Sequence, residues 1–399
     1  MNSENRKVLF AHDGPLYFDS EGNYYGIHLT EKLKQRYLQL GQKVTFVIRT
    51  RALPHEKGNN FSKISNDNFK VLAIPNYKSF TKYFRLRRKA DKIIEKAVIE
   101  HDITVVRLPS GAGAIAVKYA KKHKKPLLAE MVACTWDAYW NYNWKGKLVA
   151  PYFYFRLKKR LKDLPYVIYV TGEFLQKRYP TKGKQTNVSN VELAPLKQAD
   201  LKNRLNKIER WDGTSPLVLS TIAALNVPYK GQADVIKALA DLKKKGLVFN
   251  YKLIGGGEPS RLKDLIANLG LEKEVEVIGQ LPHEKIFDFL EEIDIYIQPS
   301  KQEGLPRAVI EAMSKACPVI GANTGGIPEL ISPEYIFKKG SPKQIAAILS
   351  IIEKNTLKKM ARENFEKSKE YQLEILSKRR KDFFAQFVSE NLNKGITNK

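Results

Sequence analysis

Residues 296–331 read YIQPSKQEGLPRAVIEAMSKACPVIGANTGGIPELI, and this stretch decides the fold of the second half of the chain. The apolar run Ile293–Gln298 predicts a buried strand, residues 299–305 predict a polar loop, and residues 306–315 predict a helix with proline in its first turn. The first amides of such a helix have no acceptors within it and lie at the positive end of its dipole. They therefore favour an anion such as phosphate, and Gly304 allows a ligand to approach the backbone closely.

Two carboxylates flank this anion site. Glu303 lies in the predicted loop, and Glu311 lies on the predicted helix about five residues, roughly 8 Å, beyond Pro306. A nucleotide sugar spans a similar length, and carboxylates accept hydrogen bonds from sugar hydroxyls. Glu303 is thus a candidate ligand for a hexose and Glu311 for a ribose, with phosphates at the amides between them. Glutamates at this spacing also occur on solvated helix faces, so the spacing alone leaves that alternative open.

The segment resembles the Glu-x7-Glu motif of the retaining glycosyltransferases with the GT-B fold, family four in the usual sequence classification. The match extends to Ser300, Gly304, Pro306, Ala312-Met313, Pro318-Val319-Ile320 and Gly325-Gly326-Ile327-Pro328-Glu329. The resemblance implies that Glu303 contacts the donor sugar and that Glu311 binds ribose. It also implies that the backbone at Gly304, Leu305 and Pro306 holds the sugar and the phosphate.

The composition is that of a globular protein with more than one domain. The chain has 399 residues, of which 43% are hydrophobic, and this length is enough for two cores. Its first residues hold only a four-residue apolar run before His12, which predicts neither a signal peptide nor a membrane span. Cys134 and Cys317 lie far apart, so no disulfide framework and no metal-ligand spacing is expected. These features predict a cytoplasmic protein.

The formal charge of +27 lies mainly in the first half, where residues 1–200 hold 37 basic and 17 acidic side chains. It concentrates in two runs that interleave cations with aromatic rings, residues 82–89 and 152–160, with further lysines at 121–125. On helices, such runs suit an anionic bilayer, here the inner face of the cell membrane. Solvated helix faces with rings in the core are the alternative. A basic nucleic-acid-binding protein is the third alternative, but no nucleic-acid partner is expected, because no recognisable RNA or DNA module accompanies the charge.

The chain alternates short apolar runs with longer amphipathic ones, which predicts an α/β fold with parallel sheets. In the first half the predicted strands are Lys7–Ala11, Lys43–Ile48, Val71–Ile74, Thr104–Arg107, Pro126–Glu130 and Val167–Val170. In the second half they are Leu217–Ile222, Asn250–Ile254, Val275–Ile278, Ile293–Ile297 and Pro318–Gly321.

This alternation predicts two Rossmann-like domains, residues 1–195 and 205–370, joined by a linker near residues 190–212. Ligands are then expected at the carboxyl ends of the strands, in a cleft between the domains. Residues 182–190 predict a polar turn. The GT-B resemblance implies that the apolar C-terminal helix, about residues 375–399, crosses back to pack on the N-terminal domain.

A second donor-site element is expected after the first strand of the C-terminal domain, in STIAALNVPYKGQADVIKAL, residues 220–239. Lys230 precedes Gly231 at a predicted helix start, where its ammonium would stabilise the charge that develops on a departing diphosphate. The family resemblance supports this role. The family often carries Gly-Arg before this loop, whereas this chain has Ile222-Ala223-Ala224-Leu225. Either another cation substitutes, or phosphate binding relies more on Lys230 and the Gly304 amides.

Two glycine-containing strand ends complete the predicted donor pocket. The run Gly255-Gly256-Gly257 follows an apolar strand, and the similar family motif lies beside the donor, so Gly256 is expected to face it. A strand-to-helix turn would also favour glycine there. Gly279 ends the next strand, where the family's backbone meets the nucleotide base.

The N-terminal domain should hold the acceptor. Many family members carry a histidine after the strand that corresponds to residues 126–130, whereas this chain has Glu130 there and Asp137 beyond it. Either carboxylate could orient the acceptor hydroxyl or the donor sugar, or could be a buried or helix-capping group. His12 and Asp13 end the first strand and face the expected cleft, although His12 could also be a core histidine.

If the family's chemistry transfers, the chain moves a sugar from a nucleotide diphosphate to a hydroxyl of a polysaccharide, glycolipid or lipid-linked acceptor, with retention of configuration. Glu303, Lys230 and Glu130 are the candidate catalytic residues, and they act through geometry and charge. No His, Asp and Glu cluster with metal spacing appears, so neither a metal nor another cofactor is expected. Because the usual arginine and histidine are replaced, a catalytically silent sugar-binding or partner module stays an alternative.

Overall fold

A computed structural model of the chain describes residues 6–27, 29–54, 61–77 and 83–392. The strands are β1 (Lys7–Phe18), β2 (Tyr24–Gly26), β3 (Lys43–Ala52), β4 (Ser62–Ile64), β5 (Phe69–Ile74), β6 (Ile103–Leu108), β7 (Leu127–Met131), β8 (Tyr166–Tyr169), β9 (Lys184–Asn187), β10 (Val218–Ile222), β11 (Asn250–Ile254), β12 (Val275–Gly279), β13 (Ile295–Gln298), β14 (Val319–Ala322) and β15 (Ile336–Phe337). The α-helices are α1 (Glu31–Leu38), α2 (Tyr83–Glu100), α3 (Gly111–Lys122), α4 (Thr135–Trp140), α5 (Trp144–Lys162), α6 (Phe174–Arg178), α7 (Gln198–Arg210), α8 (Gln232–Lys243), α9 (Ser260–Asn268), α10 (His283–Glu292), α11 (Arg307–Ser314), α12 (Pro342–Ser350), α13 (Lys354–Ser368) and α14 (Leu373–Leu392). Within these residues, no helix is long and apolar enough to cross a membrane.

The first sheet is a parallel sheet with a short antiparallel extension. Its strands lie in the order β5-β3-β1-β6-β7-β8-β9, and all of these neighbours are parallel. Strand β1 is longer than the predicted Lys7–Ala11, because the ladder resumes after an irregularity and continues to the pair Phe18 and Ala52. Strand β3 extends equally far, so residues beyond the predicted ends of both strands find backbone partners. Strands β2 and β4 add antiparallel pairs at this end.

The second sheet has the strand order β12-β11-β10-β13-β14-β15, and all of its neighbours are parallel. The strand order reverses between β10 and β13, where Leu219 lies opposite Ile295 and Ser220 opposite Tyr296. In doubly wound sheets, ligands bind outside the carboxyl ends of the strands at this switch point. The loops that follow β10 and β13 are therefore the first place to look for a site.

The chain passes between the domains twice, and the two passages lie side by side. Leu193 and Gln372 form an isolated parallel bridge, and the Leu373 amide donates to the Leu193 carbonyl at 3.3 Å. Helix α7 occupies most of the predicted linker and packs on the second domain, where Ile208 is buried and Arg204 Nη2 donates to the Leu290 carbonyl at 2.6 Å. The domain limits 1–195 and 205–370 stay predictions.

Helix α14 packs on the N-terminal domain, as the resemblance implies. The rings of Phe383 and Phe387 meet the Tyr166 ring edge to face, with centroids 5.5 and 5.0 Å apart. Arg380 Nη2 donates to the Ser189 carbonyl at 3.3 Å. The buried apolar side chains of this helix, Leu376, Phe383, Phe384 and Phe387, therefore form part of the N-terminal core. Residues 393–399 of the predicted helix lie outside the described residues.

One polar segment was predicted wrongly. Residues 182–190 were expected to be a turn, but Lys184–Asn187 form the edge strand β9 beside β8. The segment has no apolar alternation that would predict a strand. It still forms one, because an edge strand with half-exposed side chains can be ordered by its backbone pairing with β8.

We expect that Phe387→Ala lowers the free energy of unfolding by about 3–5 kcal/mol, because this side chain is fully buried between α14 and the first sheet. Ile375→Ala is the matched control on the same helix, since Ile375 is 40% exposed, and it should change stability by less than about 1 kcal/mol. Urea unfolding of both variants measures the difference. Equal losses would contradict the packing of α14.

Candidate active site

Two loops meet at the switch point of the second sheet, one after β10 and one after β13. The first ends in the 3-10 turn Pro228–Lys230, followed by Gly231 in the left-handed region at φ +79°. A Cβ on Gly231 would lie 2.1 Å from the Pro299 carbonyl oxygen, so only glycine permits this approach of the loops. The Lys301 amide donates to the Tyr229 carbonyl at 2.7 Å, which is a second contact between the two loops.

An ion pair joins the two loops. Lys230 Nζ lies 2.6 Å from Glu303 Oε1, and the two side chains are 22% and 12% exposed. Gln298 Nε2 also donates to Glu303 Oε1 at 3.1 Å, and the Tyr296 hydroxyl donates to Gln298 Oε1 at 2.7 Å. The structure thus brings together the two residues from separate loops that the sequence singled out. It also adds Gln298 as a neighbour that orients the Glu303 carboxylate.

The N-terminus of α11 lies directly after this loop. The helix begins at Arg307, with Pro306 as its N-cap, and no side chain of the N-cap accepts a hydrogen bond from the first turn. The first amides of α11 are therefore oriented towards the loop that carries Glu303, with the positive end of the helix dipole behind them. A cationic side chain and a helix N-terminus on one rim form a binding geometry for phosphate.

Glu311 has a partner that the sequence did not suggest. Its Oε1 lies 3.6 Å from His283 Nε2, at the start of α10, and the Glu311 side chain is 12% exposed. Hydrogen bonding to Glu311 is the main cause that raises the pKa of His283. The sequence could have indicated His283 by its position, because it directly follows the loop after β12, at the carboxyl edge of the same sheet.

The Glu303 loop is also held by the N-terminal domain. A Cβ on Gly304 would lie 2.4 Å from the Val132 carbonyl oxygen, so this glycine allows the backbones of the two domains to touch. Leu305 packs against the apolar core of the N-terminal domain. The Gly304 carbonyl accepts from the Gly326 amide at 2.7 Å. Gly304 and Leu305 were expected to approach a ligand, and the structure adds a role for both in contact between the domains.

The two predicted glycines on neighbouring strands form a backbone network beside the same cleft. The Gly256 carbonyl accepts from the Leu225 amide at 2.9 Å, and the Gly279 carbonyl accepts from the Gly255 amide at 2.8 Å. The loop after β10 therefore lies against the glycine run after β11. This is the segment where the family often carries an arginine, and here none of its four residues, Ile222 to Leu225, is a cation.

Asp13 lies at the switch point of the first sheet, between β1 and β6. Its carboxylate accepts from the Gly111 and Ala112 amides at 2.7 and 2.8 Å and from the Tyr77 hydroxyl at 2.8 Å. It thus caps α3, and its two oxygens accept three hydrogen bonds from within the N-terminal domain. His12 is half-buried in the same segment, with its ring 6.1 Å from the Phe10 ring.

Glu130 does not reach the cleft as expected. Its Oε2 accepts from Arg107 Nε and Nη2 at 3.0 and 2.7 Å, and the residue is 4% exposed. Burial by itself would raise the pKa of Glu130, but the positive charges of Arg107, Arg36 and Arg380 outweigh burial and lower it to about 2. Successive strand residues face opposite sides of the sheet, and this one faces α14. We therefore assign Glu130 to the interior of the N-terminal domain rather than to acceptor binding.

Asp137 lines a cavity of about 500 Å³ between the domains. Its carboxylate is 4% exposed and lies 3.6 Å from Arg178 Nη1 and 3.8 Å from Lys339 Nζ, which belong to different domains. The cavity lies beyond the Gly304 loop, beside Thr324 and Gly325. Asp137 is therefore an interdomain carboxylate, and Asn141 Nδ2 joins its backbone carbonyl to that of Lys301, in the loop that carries Glu303, at 2.9 Å to each. Among the described residues, no group of three His, Cys, Asp or Glu side chains could hold a metal ion.

Known proteins share both the sequence pattern and the architecture. Residues 202–370 match the family model described as Glycosyl transferases group 1. Protein CapJ of Staphylococcus aureus is 28% identical over 364 residues, which cover 90% of this chain and 88% of CapJ. The amylovoran biosynthesis glycosyltransferase AmsK of Erwinia amylovora is 37% identical over 144 residues, which cover 34% of this chain and 35% of AmsK.

Solved structures agree with the fold. HepE of Anabaena in complex with UDP-glucose superposes with a TM-score of 0.61 at 17% identity, covering 95% of this chain and 99% of HepE. The fold of this chain is GT-B, with two Rossmann-like domains. The family match and the named relatives identify the chain as a glycosyltransferase.

We expect that Glu130→Gln lowers the free energy of unfolding by about 3–5 kcal/mol at neutral pH, because Arg107 is left buried without its counter-charge. The difference from wild type should shrink as the pH falls from about 4.5 towards 2, where Glu130 itself becomes protonated in the folded state. Urea unfolding at neutral and acidic pH measures both effects. Glu95→Gln, at the exposed ion pair with Lys122, is the control and should have a much smaller effect. A neutral or pH-independent effect of Glu130→Gln would contradict the assignment.

Proposed function

We propose that this glycosyltransferase moves a sugar from a nucleoside-diphosphate donor to a hydroxyl of a polysaccharide, glycolipid or lipid-linked acceptor, with retention of the anomeric configuration. The observation that carries the proposal is the ion pair between Lys230 and Glu303 at the switch point, beside the N-terminus of α11. A cation, a carboxylate and free helix amides on one rim match the phosphates and hydroxyls of a nucleotide sugar.

When the donor binds, Lys230 and Glu303 each exchange the other for a group of the donor. Its diphosphate offers the Lys230 ammonium more negative charge than one carboxylate does, and the first amides of α11 bind the remaining phosphate oxygens. Glu303, released from Lys230, then accepts hydrogen bonds from the donor sugar, while Gln298 keeps its carboxylate oriented. Glu311 accepts from the ribose hydroxyls, in place of its contact with His283.

The chemical step follows from this arrangement. The bond between the anomeric carbon and the phosphate oxygen breaks, and the acceptor oxygen bonds to that carbon on the same face, which retains the configuration. The acceptor's proton passes to the departing phosphate oxygen. Lys230 and the α11 amides stabilise the negative charge that grows on this oxygen, so we propose a reaction that uses neither a metal nor another cofactor.

Named relatives support the substrate classes. HepE binds UDP-glucose in its solved complex, which supports a nucleotide-sugar donor for this chain. AmsK is named for amylovoran biosynthesis, which supports a role in polysaccharide or glycolipid biosynthesis and therefore a saccharide acceptor.

We expect Lys230→Met and Glu303→Gln each to lower kcat by about a hundredfold to a thousandfold, because each removes an interaction that strengthens as the leaving group departs. Hydrolysis of UDP, GDP and ADP sugars by the purified full chain measures the loss for whichever donor is accepted. Lys301→Met is the matched control, since Lys301 lies in the same loop but pairs with Asp234 at 2.9 Å. Its kcat should stay within about threefold of wild type.

A thermal unfolding scan of each variant separates loss of chemistry from loss of fold. The proposal fails if folded Glu303→Gln turns over donor at the wild-type rate, or if wild type binds nucleotide sugars without turning any of them over.

A further inference from the structure

Helix α5 exposes a stripe of large apolar side chains. Trp144, Leu148, Tyr152 and Phe155 are 68%, 72%, 59% and 63% exposed. Their spacing of four, four and three residues sets them on one face of the helix. Val149 beside them is 40% exposed. A contiguous apolar face of this kind on a protein surface marks an interaction site.

The structure separates these residues from the aromatic rings that serve the core. The Phe153 ring stacks on the Tyr139 ring with centroids 4.4 Å apart, and the Tyr154 ring meets the Trp136 ring at 5.7 Å. The aromatic run at residues 152–160 therefore divides in two. Phe153 and Tyr154 hold α5 on α4 and the domain core, whereas the stripe points outwards.

Cations surround the stripe. Helix α5 carries seven Lys and Arg and no Asp or Glu. Lys145 Nζ lies 5.5 Å from the Trp144 ring centroid, and Arg156 Nη1 donates to the Tyr152 hydroxyl at 2.9 Å. Trp144 and Tyr152 are thus each accompanied by a positive charge, as at the headgroup layer of a bilayer, where rings and cations occupy the same depth.

The second basic run approaches the same region. Burial, followed by the charges of Arg156 and of Arg87 on α2, lowers the pKa of Arg160. Two segments that are far apart in sequence therefore combine their positive charge in one place. Phe84, at the start of α2, is 79% exposed. Lys82, in the run that the sequence singled out, lies outside the described residues.

The stripe begins at the rim of the interdomain cleft. Asn141, between α4 and α5, donates from Nδ2 to the Lys301 carbonyl at 2.9 Å, and Lys301 belongs to the loop that carries Glu303. Trp144 follows three residues later, at the start of α5. A surface bound to this face would therefore meet the cleft at the edge where the donor loop lies.

We propose that the exposed face of α5, with Trp144, Leu148, Tyr152 and Phe155, docks on an anionic lipid bilayer. The charge of α5 favours this occupant over a second copy of the chain, because a symmetric pair would bring together two helices that carry seven cations each. The aliphatic members of the stripe favour the hydrocarbon of a bilayer over nucleic acid. A nucleic-acid surface binds through cations and stacking rings and gives aliphatic side chains no role. If the proposed transfer to a lipid-linked acceptor holds, docking here delivers that acceptor to the cleft from the membrane surface.

Sedimentation of the full chain with vesicles tests the surface independently of catalysis. Wild type should bind vesicles of phosphatidylcholine with phosphatidylglycerol, and binding should weaken with added salt and with pure phosphatidylcholine. Leu148→Ser with Phe155→Ser should lower the partition coefficient at least tenfold, because two large apolar side chains no longer enter the bilayer. Ile351→Ser, 73% exposed in the C-terminal domain, is the apolar control and should bind like wild type.

A charge pair completes the design. Lys145→Glu with Lys147→Glu should weaken binding at least tenfold, whereas Lys244→Glu with Lys245→Glu, the same charge change at the end of α8, should not. Donor hydrolysis in solution should be unchanged in all of these variants. Vesicle binding is measured separately from hydrolysis, so the binding results test the membrane surface even if the proposed reaction is not observed. The proposal is overturned if wild type does not bind anionic vesicles or if the α5 variants bind as well as their controls. It is also overturned if light scattering shows a dimer that the α5 variants dissociate, or if RNA binding depends on the same stripe.

Discussion

The ion pair between Lys230 and Glu303 is the interaction on which the donor site depends. It exists because β10 and β13 are neighbours although they are far apart in sequence, so the loops after them converge at one edge of the sheet. Gly231 allows the two backbones to approach, and Gln298 fixes the carboxylate. Both partners are mostly buried, and removal of either leaves the other as an uncompensated charge in a site of low dielectric. The same property makes the pair responsive to a diphosphate, which can replace the carboxylate as the partner of the ammonium.

The donor loop is shared between the domains. Gly304 lies against the Val132 carbonyl, and the Asn141 side chain donates to the Lys301 carbonyl, so one backbone group and one side chain of the N-terminal domain hold the loop. Glu329 adds a third connection, because its carboxylate accepts from the Gly172 and Glu173 amides at 2.6 and 3.1 Å before α6. The Glu303 loop and the segment after it are therefore held directly by the N-terminal domain, at Val132, at Asn141 and at the amides before α6.

The sequence predicted the parallel strands well, because strands buried on both faces appear as short apolar runs. It predicted the convergence of Lys230 and Glu303 only with the family resemblance, since neither residue has a distinctive neighbourhood of its own. The antiparallel extension and β9 were missed because β2 and β4 have only three residues each and β9 only four, too few to show a periodicity, so their order comes from the neighbouring backbone. For Glu130 the structure favours the buried carboxylate over the acceptor-side role, and the sequence left both open because it does not reveal which face of a strand meets a buried arginine. His283 was missed because its meaning depends on Glu311, which approaches it only in the folded sheet.

A crystal structure of the chain with a bound nucleotide sugar tests the central claim most directly. The account predicts that diphosphate oxygens lie within hydrogen-bonding distance of Lys230 Nζ and of the first amides of α11, with Glu303 turned from Lys230 to the sugar hydroxyls. A nucleotide bound elsewhere, with the Lys230 and Glu303 pair intact, would contradict it.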